Sequence, residues 1–122
     1  MNKDNKNIIM LYENAMQQPT MTVDTDGNKI WRLNDKLHRE DGPAVEGVGG
    51  TKSWFLHGKR HREDGPAIDD ADGNKVWYLN GSRYEDVFEW AEALLKLKGI
   101  NDPSEDQIND VVQQVTSSSI LD

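Results

Sequence analysis

Trp31, Trp54 and Trp77 stand 23 residues apart, and so do Lys29, Lys52, Lys75 and Leu33, Leu56, Leu79. A period of this length means one supersecondary unit per repeat, too small to bury its own apolar face and stable only when stacked. The units read DGNKIWRLNDKLHREDGPAV, GGTKSWFLHGKRHREDGPAI and DGNKVWYLNGSRYEDVFEW. The third keeps the pattern through Tyr84 and then departs, as the last copy of an array usually does.

Each unit is punctuated by turn formers. DGN (26–28, 72–74) or GGT (49–51) precedes the Trp, and Asn34-Asp35, His57-Gly58 or Asn80-Gly81 follows it. Asn-Gly between alternating residues is the strongest short-range hairpin signal. DGP at 41–43 and 64–66 adds a further break, because Pro cannot donate to a central ladder. There Asp would cap its own turn and Gly would supply a positive φ. The pattern predicts an antiparallel meander of short hairpins. A two-residue turn at 34–35 makes 33 face 36, 31 face 38 and 29 face 40. Trp31, Trp54 and Trp77 then oppose His38, His61 and Tyr84, while Lys29, Lys52 and Lys75 oppose Glu40, Glu63 and Asp86. Each such cross-strand pair contributes about 0.2–1 kcal/mol.

Helices are expected on both sides of the array. Ile8, Leu11, Tyr12, Ala15 and Met16 share a face over 5–17, with Asp4 as cap. Val87, Phe88, Trp90, Ala91, Leu94 and Leu95 form an apolar stripe between Glu85 and Lys98, closed by Gly99. Asp102-Pro103-Ser104-Glu105 has the form of an N-cap, a first-turn Pro and a capping-box acid, followed by Ile108, Val111, Val112 and Val115 at helical spacing. The SSS at 117–119 and the final ILD read as a fraying tail. The expected architecture is one α+β domain over 1–122. It comprises an N-terminal helical segment (1–20), an antiparallel β-meander of three 23-residue hairpin repeats (21–84), and an acidic C-terminal helical hairpin (85–122).

The net charge of −8 is concentrated in that last third. Residues 21–84 hold ten Lys/Arg against eleven Asp/Glu, whereas 85–122 hold two against nine. This opposes nonspecific nucleic-acid binding by the whole molecule and leaves room for a local basic surface. With no Cys, thiolate metal sites and cysteine nucleophiles are excluded, and a reducing, cytoplasmic setting fits. The apolar run Ile8–Tyr12 is too short for a signal-peptide core or a membrane span, so no membrane partner is expected.

The repeats resemble MORN-type units, which are β-hairpins of this length. The variant WRLNDKLHREDGPA and WFLHGKRHREDGPA is similar to repeats of small accessory proteins of tailed bacteriophages, with WYLNGSRYED matching in its first half. The resemblance covers residues 21–84 and implies a scaffold that contacts proteins or lipids, with no shared catalytic residues.

HREDGPA occurs at 38–44 and again at 61–67. A metal-dependent hydrolase would use its His as base or ligand beside Glu40/Glu63 and Asp41/Asp64. Tyr84 at the third equivalent position keeps the aromatic and abandons the imidazole, which favours stacking on Trp. The DGN loops lack the further acids a calcium loop requires, so no metal or cofactor is assigned. The opposite sheet face carries Arg32 and Arg39, then Phe55, Arg60 and Arg62, then Tyr78 and Arg83. There Arg60 opposes Phe55 and Arg83 opposes Tyr78 as cation–π pairs. Such a stripe suits an acidic protein surface or, as a second reading, nucleic acid. Glu85, Asp86, Glu89, Glu92, Glu105, Asp106 and Asp110 form either a solvated helical surface or a polyanion mimic. The expected function is a non-catalytic protein-interaction module. Its expected form is a phage or prophage accessory protein that binds and inhibits or modulates a bacterial host defence protein. An open meander edge also offers a route to a homodimer.

Overall fold

The computed structural model describes residues 17–121, with side chains through residue 117. The N-terminal helix expected over 5–17 lies outside the described residues, save Gln17. The strands in chain order are β1 (Thr20–Val23), β2 (Lys29–Leu33), β3 (Lys36–Leu37), β4 (Val45–Glu46), β5 (Lys52–Ser53), β6 (Phe55–Leu56), β7 (Lys59–Arg60), β8 (Ile68–Asp69), β9 (Lys75–Leu79) and β10 (Ser82–Tyr84). Two helices follow, α1 (Val87–Leu97) and α2 (Glu105–Leu121). The sheet runs β1-β2-β4-β5-β8-β9-β10, every pair antiparallel, with β3 on the second half of β2 and β6–β7 as a separate ladder. The molecule is thus an α+β meander with two C-terminal helices.

The hairpin turns form as the sequence predicts. Both central residues have positive φ in all three: Asn34 52° and Asp35 64°, His57 50° and Gly58 84°, Asn80 50° and Gly81 86°. This left-handed pair is the turn whose twist matches that of the flanking strands. It fixes the expected register, with Leu33 facing Lys36, Leu56 facing Lys59 and Leu79 facing Ser82. Beyond it, the His38 and His61 N–H groups donate to the carbonyls of Trp31 and Trp54 at 3.1 and 3.2 Å, and Tyr84 faces Trp77.

The register does not extend to the lysines. Lys29 faces Glu46 and not Glu40; Lys52 faces Glu46 and Asp69 and not Glu63; Lys75 faces Asp69 and not Asp86. The chain leaves the hairpin after His38 or His61, loops through REDG, and returns at Ala44 or Ala67. There the carbonyl accepts the N–H of Trp31 or Trp54, each at 2.8 Å. In the third unit Asp86 caps α1 instead, accepting the Glu89 N–H at 2.9 Å. The opposite-charge pairing therefore holds between consecutive units, as in the Lys75–Asp69 ion pair at 3.1 Å.

The core lies at the C-terminal end of the array. Trp77, Leu79, Trp90, Ala91 and Leu94 are buried together, and Tyr84, Val87, Ile108, Val111, Val112 and Val115 pack against them. Trp90 is fully buried, with its ring centroid 4.9 Å from that of Trp77. Helix α1 ends with Gly99 at φ 100°, and Ile100 N–H reaches back to the Leu95 carbonyl, which closes the last turn. Helix α2 begins two residues later than the Asp102 cap would place it. Ser104 Oγ accepts the Gln107 N–H at 3.1 Å and Gln107 Oε1 accepts the Ser104 N–H at 2.9 Å, a reciprocal capping box that uses Gln107, not Glu105. Residues 117–121, expected as a fraying tail, continue this helix.

Trp90→Ala is expected to lower the unfolding free energy by about 3–5 kcal/mol, the usual cost of removing a buried indole. Urea denaturation followed by circular dichroism measures it.

Candidate functional site

The duplicated HREDGPA segments build a repeated structural device. Both histidines are buried, His38 at 3% and His61 at 5% exposure. Each reaches forward into the turn of the next unit: His38 Nδ1 accepts the His57 N–H, and His61 Nδ1 accepts the Asn80 N–H, both at 2.9 Å. On the far side of its ring, His61 Nε2 lies 2.9 Å from Glu63 Oε2, which fixes Nε2 as the protonated nitrogen. His38 Nε2 is 3.9 Å from Glu40. Instead of stacking on Trp31, the His38 ring sits 4.3 Å from that of His57. Backbone bonds run beside each staple, from Arg39 N–H to Phe55 O at 3.1 Å and from Gly58 N–H to Leu37 O at 2.8 Å. In the next unit Gly81 N–H donates to Arg60 O at 2.8 Å. At the other end of the hairpins Asn28 Oδ1 accepts the Val48 N–H at 2.9 Å, and Thr51 Oγ1 lies 3.4 Å from Ala71 N.

The arginines of the motif cover the tryptophans. Arg39 lies 3.9 Å above the Trp31 ring and Arg62 3.7 Å above Trp54. Each Nε donates to the carboxylate two residues on, Arg39 to Asp41 at 3.0 Å and Arg62 to Asp64 at 2.9 Å. Each Nη1 donates to the proline carbonyl that ends the loop, Pro43 or Pro66. Arg39 and Arg62 are thus withdrawn from the Arg–aromatic stripe, because the chain has left the strand before them and alternation no longer sets their side. The glycine between Asp and Pro is required for a reason other than a positive φ. A Cβ on Gly42 would lie 2.8 Å from Arg39 Cζ, and one on Gly65 would lie 2.6 Å from Arg62 Cζ.

The stripe that remains comprises Arg32, Phe55, Arg60, Tyr78 and Arg83. Arg60 is the cation for both rings, 5.3 Å from Phe55 and 5.6 Å from Tyr78, because the twist carries its side chain toward the next unit. Arg83 faces Tyr78 along the backbone, but the guanidinium over that ring belongs to Arg60. Arg32, Arg60 and Arg83 are exposed, and among the described residues none of them makes an ion pair.

The acidic residues of the helices have local duties. Asp86 caps α1, Glu89 accepts the Glu85 N–H at 3.3 Å, and Glu92 pairs with Lys96 at 3.2 Å. Glu105 and Asp106 occupy the first turn of α2, where the helix dipole favours anions, and Asp110 is exposed one turn on. No group of three or more His, Asp or Glu among the described residues is placed to hold a metal ion. Among them, no helix is long and apolar enough to cross a membrane.

The sequence alone did not reveal two clefts on the tryptophan side of the sheet. One, of about 580 Å³, is floored by Trp54, Leu56 and Arg62 and rimmed by Glu40 and Asp41. The other, of about 270 Å³, holds Trp31 and Arg39 with Gln17 and Gln18 at its rim. They are the same site displaced by one 23-residue repeat.

Burial lowers the pKa of His38 below its usual 6.5, with the neighbouring His57 adding to the effect. The hydrogen bond from Lys98, then that from His61, lowers the pKa of Glu63 below its usual 4.5. Both shifts make the unfolded chain bind protons first as pH falls. Stability is therefore expected to hold above about pH 6.5, to decline below it as His38 charges, and to fall again below about pH 4.5. Melting temperature against pH tests this, and His38→Gln should flatten the first decline. Arg62→Ala and Gly65→Ala should each cost about 1–2 kcal/mol, the upper range of a cation–π pair. Because both act by removing the guanidinium from Trp54, the double variant should cost little more than either alone. Denaturation of the four proteins in a double-mutant cycle checks it.

Comparison with protein-family models, with curated proteins and with solved structures returns no match for this chain.

Proposed function

We propose that this chain is a non-catalytic protein-interaction module whose contact surface is the stripe Arg32, Phe55, Arg60, Tyr78 and Arg83. The observation that carries this reading is Arg60, exposed and held between the rings of Phe55 and Tyr78. A guanidinium held by two rings loses little side-chain entropy on binding, and Arg with aromatics is the composition of interface hot spots. Acidic protein surfaces are the matching partners. The histidines, the first candidates for a catalytic role, are engaged in the fold: His61 has protein partners at both ring nitrogens, His38 has one at Nδ1, and both imidazoles are buried. A general base needs a free nitrogen within reach of a substrate proton.

The resemblance of the repeats to those of tailed-phage accessory proteins directs the search to a bacterial host protein, with inhibition of a defence system as one concrete outcome. Nucleic acid is the second reading, favoured by the same Arg–aromatic stack, since bases stack on such platforms. The excess of acids elsewhere in the chain weighs against it.

The wild-type chain is expected to retain a bacterial protein stoichiometrically in a pull-down, and Arg60→Glu/Arg83→Glu is expected to lose it while keeping its fold by circular dichroism. Retention unchanged by the double charge reversal would overturn this choice of surface. Tight oligonucleotide binding with a steep salt dependence, lost in the same variant, would transfer the stripe to nucleic acid.

A further inference from the structure

The three units treat their tryptophans differently. Trp31 and Trp54 carry Arg39 and Arg62. In the third unit the equivalent residue is Glu85, and Trp77 is met by Trp90 of α1. The same helix sends Lys98, just beyond its last turn, to an ion pair with Glu63, the acid of the preceding repeat. The third unit therefore shows what its cleft accepts. It takes an aromatic ring against the tryptophan and, eight residues later on the helix, an ammonium on the carboxylate of the unit before.

Stepping back one repeat converts Trp77 and Glu63 into Trp54 and Glu40. Both line the open cleft of about 580 Å³. Glu40 is 81% exposed, and among the described residues it has no Lys or Arg partner, its nearest basic group being His38 at 3.9 Å. The other carboxylates at this cleft are already paired, Asp41 to Arg39, Asp64 to Arg62 and Glu63 to Lys98. One further repeat back, the position of Glu40 is held by Gln17, which carries no charge, and the cleft shrinks to about 270 Å³.

We propose that the Trp54 cleft binds a helix of a partner protein that presents an aromatic side chain and, about two turns later, a lysine or arginine. The aromatic ring packs on the guanidinium–indole stack of Arg62 and Trp54, since a planar guanidinium stacks on rings on either side. The basic residue pairs with Glu40 as Lys98 pairs with Glu63. By strand alternation Trp54 lies on the opposite face from Phe55 and Arg60, so this site is separate from the stripe and takes a ligand of opposite charge. It stands whether or not the stripe binds protein.

The probe is a labelled peptide of residues 85–100 of this chain, which carries both features at the right spacing, titrated onto the full-length protein by fluorescence anisotropy. Saturable binding is expected. Trp90→Ala in the peptide should abolish it, and Lys98→Glu in the peptide should weaken it at least tenfold. Glu40→Lys in the protein, at an exposed position that leaves the fold intact by circular dichroism, should weaken the unmodified peptide at least tenfold. The same protein variant should restore binding of the Lys98→Glu peptide. Absence of saturable binding up to about 1 mM, an affinity of only about 4 kcal/mol, overturns the proposal. So does binding indifferent to Glu40→Lys, which would mean that the peptide exchanges with the chain's own helix or docks elsewhere.

Discussion

The sheet depends on a buried imidazole that accepts a backbone N–H from the next hairpin. Single hairpins with strands of two to five residues cannot hold together by their own ladders. The bonds from His57 N–H to His38 and from Asn80 N–H to His61 tie each turn to the unit before it. Losing such an acceptor breaks a part-buried bond between units, at about 0.5–1.5 kcal/mol. The staple requires an unprotonated Nδ1, which at His38 burial favours by disfavouring the charged ring. It also explains the third unit. No further hairpin follows Tyr84, so no acceptor is needed there, and an aromatic that packs on the terminal core serves instead.

The rest of the heptapeptide supports that imidazole. Arg39 and Arg62 lie over the tryptophans and tie the loop to its own proline carbonyl, Asp41 and Asp64 hold them, and the glycine leaves room for the guanidinium. Ala44 and Ala67 are fully buried where the chain rejoins the sheet. A motif with His, Arg, Glu and Asp, the vocabulary of hydrolytic sites, is here largely consumed by folding. Among the described residues, the carboxylate of the two motifs left without a Lys or Arg partner is Glu40, and the Arg–aromatic stripe lies separately on the other face.

The array is closed at one end by its own helix. Exchange of Arg for Glu85 in the third unit coincides with the arrival of Trp90 on Trp77, and the core forms there rather than along the array. The sheet upstream has smaller buried residues, with Ala44, Ala67 and the two histidines as its buried side chains beside the loop glycine and prolines. Among the described residues burial is thus unevenly distributed, heaviest at the helical end and lightest toward β1, whose four residues are all exposed.

The period, the left-handed hairpin turns and the Trp-to-His register were legible in the sequence, because each rests on contacts a few residues apart and on residue types with one conformational preference. The same holds for α1, whose apolar stripe and Gly99 define its ends within two residues. What the sequence could not decide was where side chains go once the chain leaves a strand. Alternation places Arg39 and Arg62 on the stripe, yet four residues of loop turn them back onto the tryptophans. The lysines find acids of neighbouring units because the pairing partner is 17 residues away in sequence, not 11. Local pattern fixed the unit; the stacking of units, which brings residues 16 to 21 positions apart into contact, decided which polar groups are used up and which remain exposed.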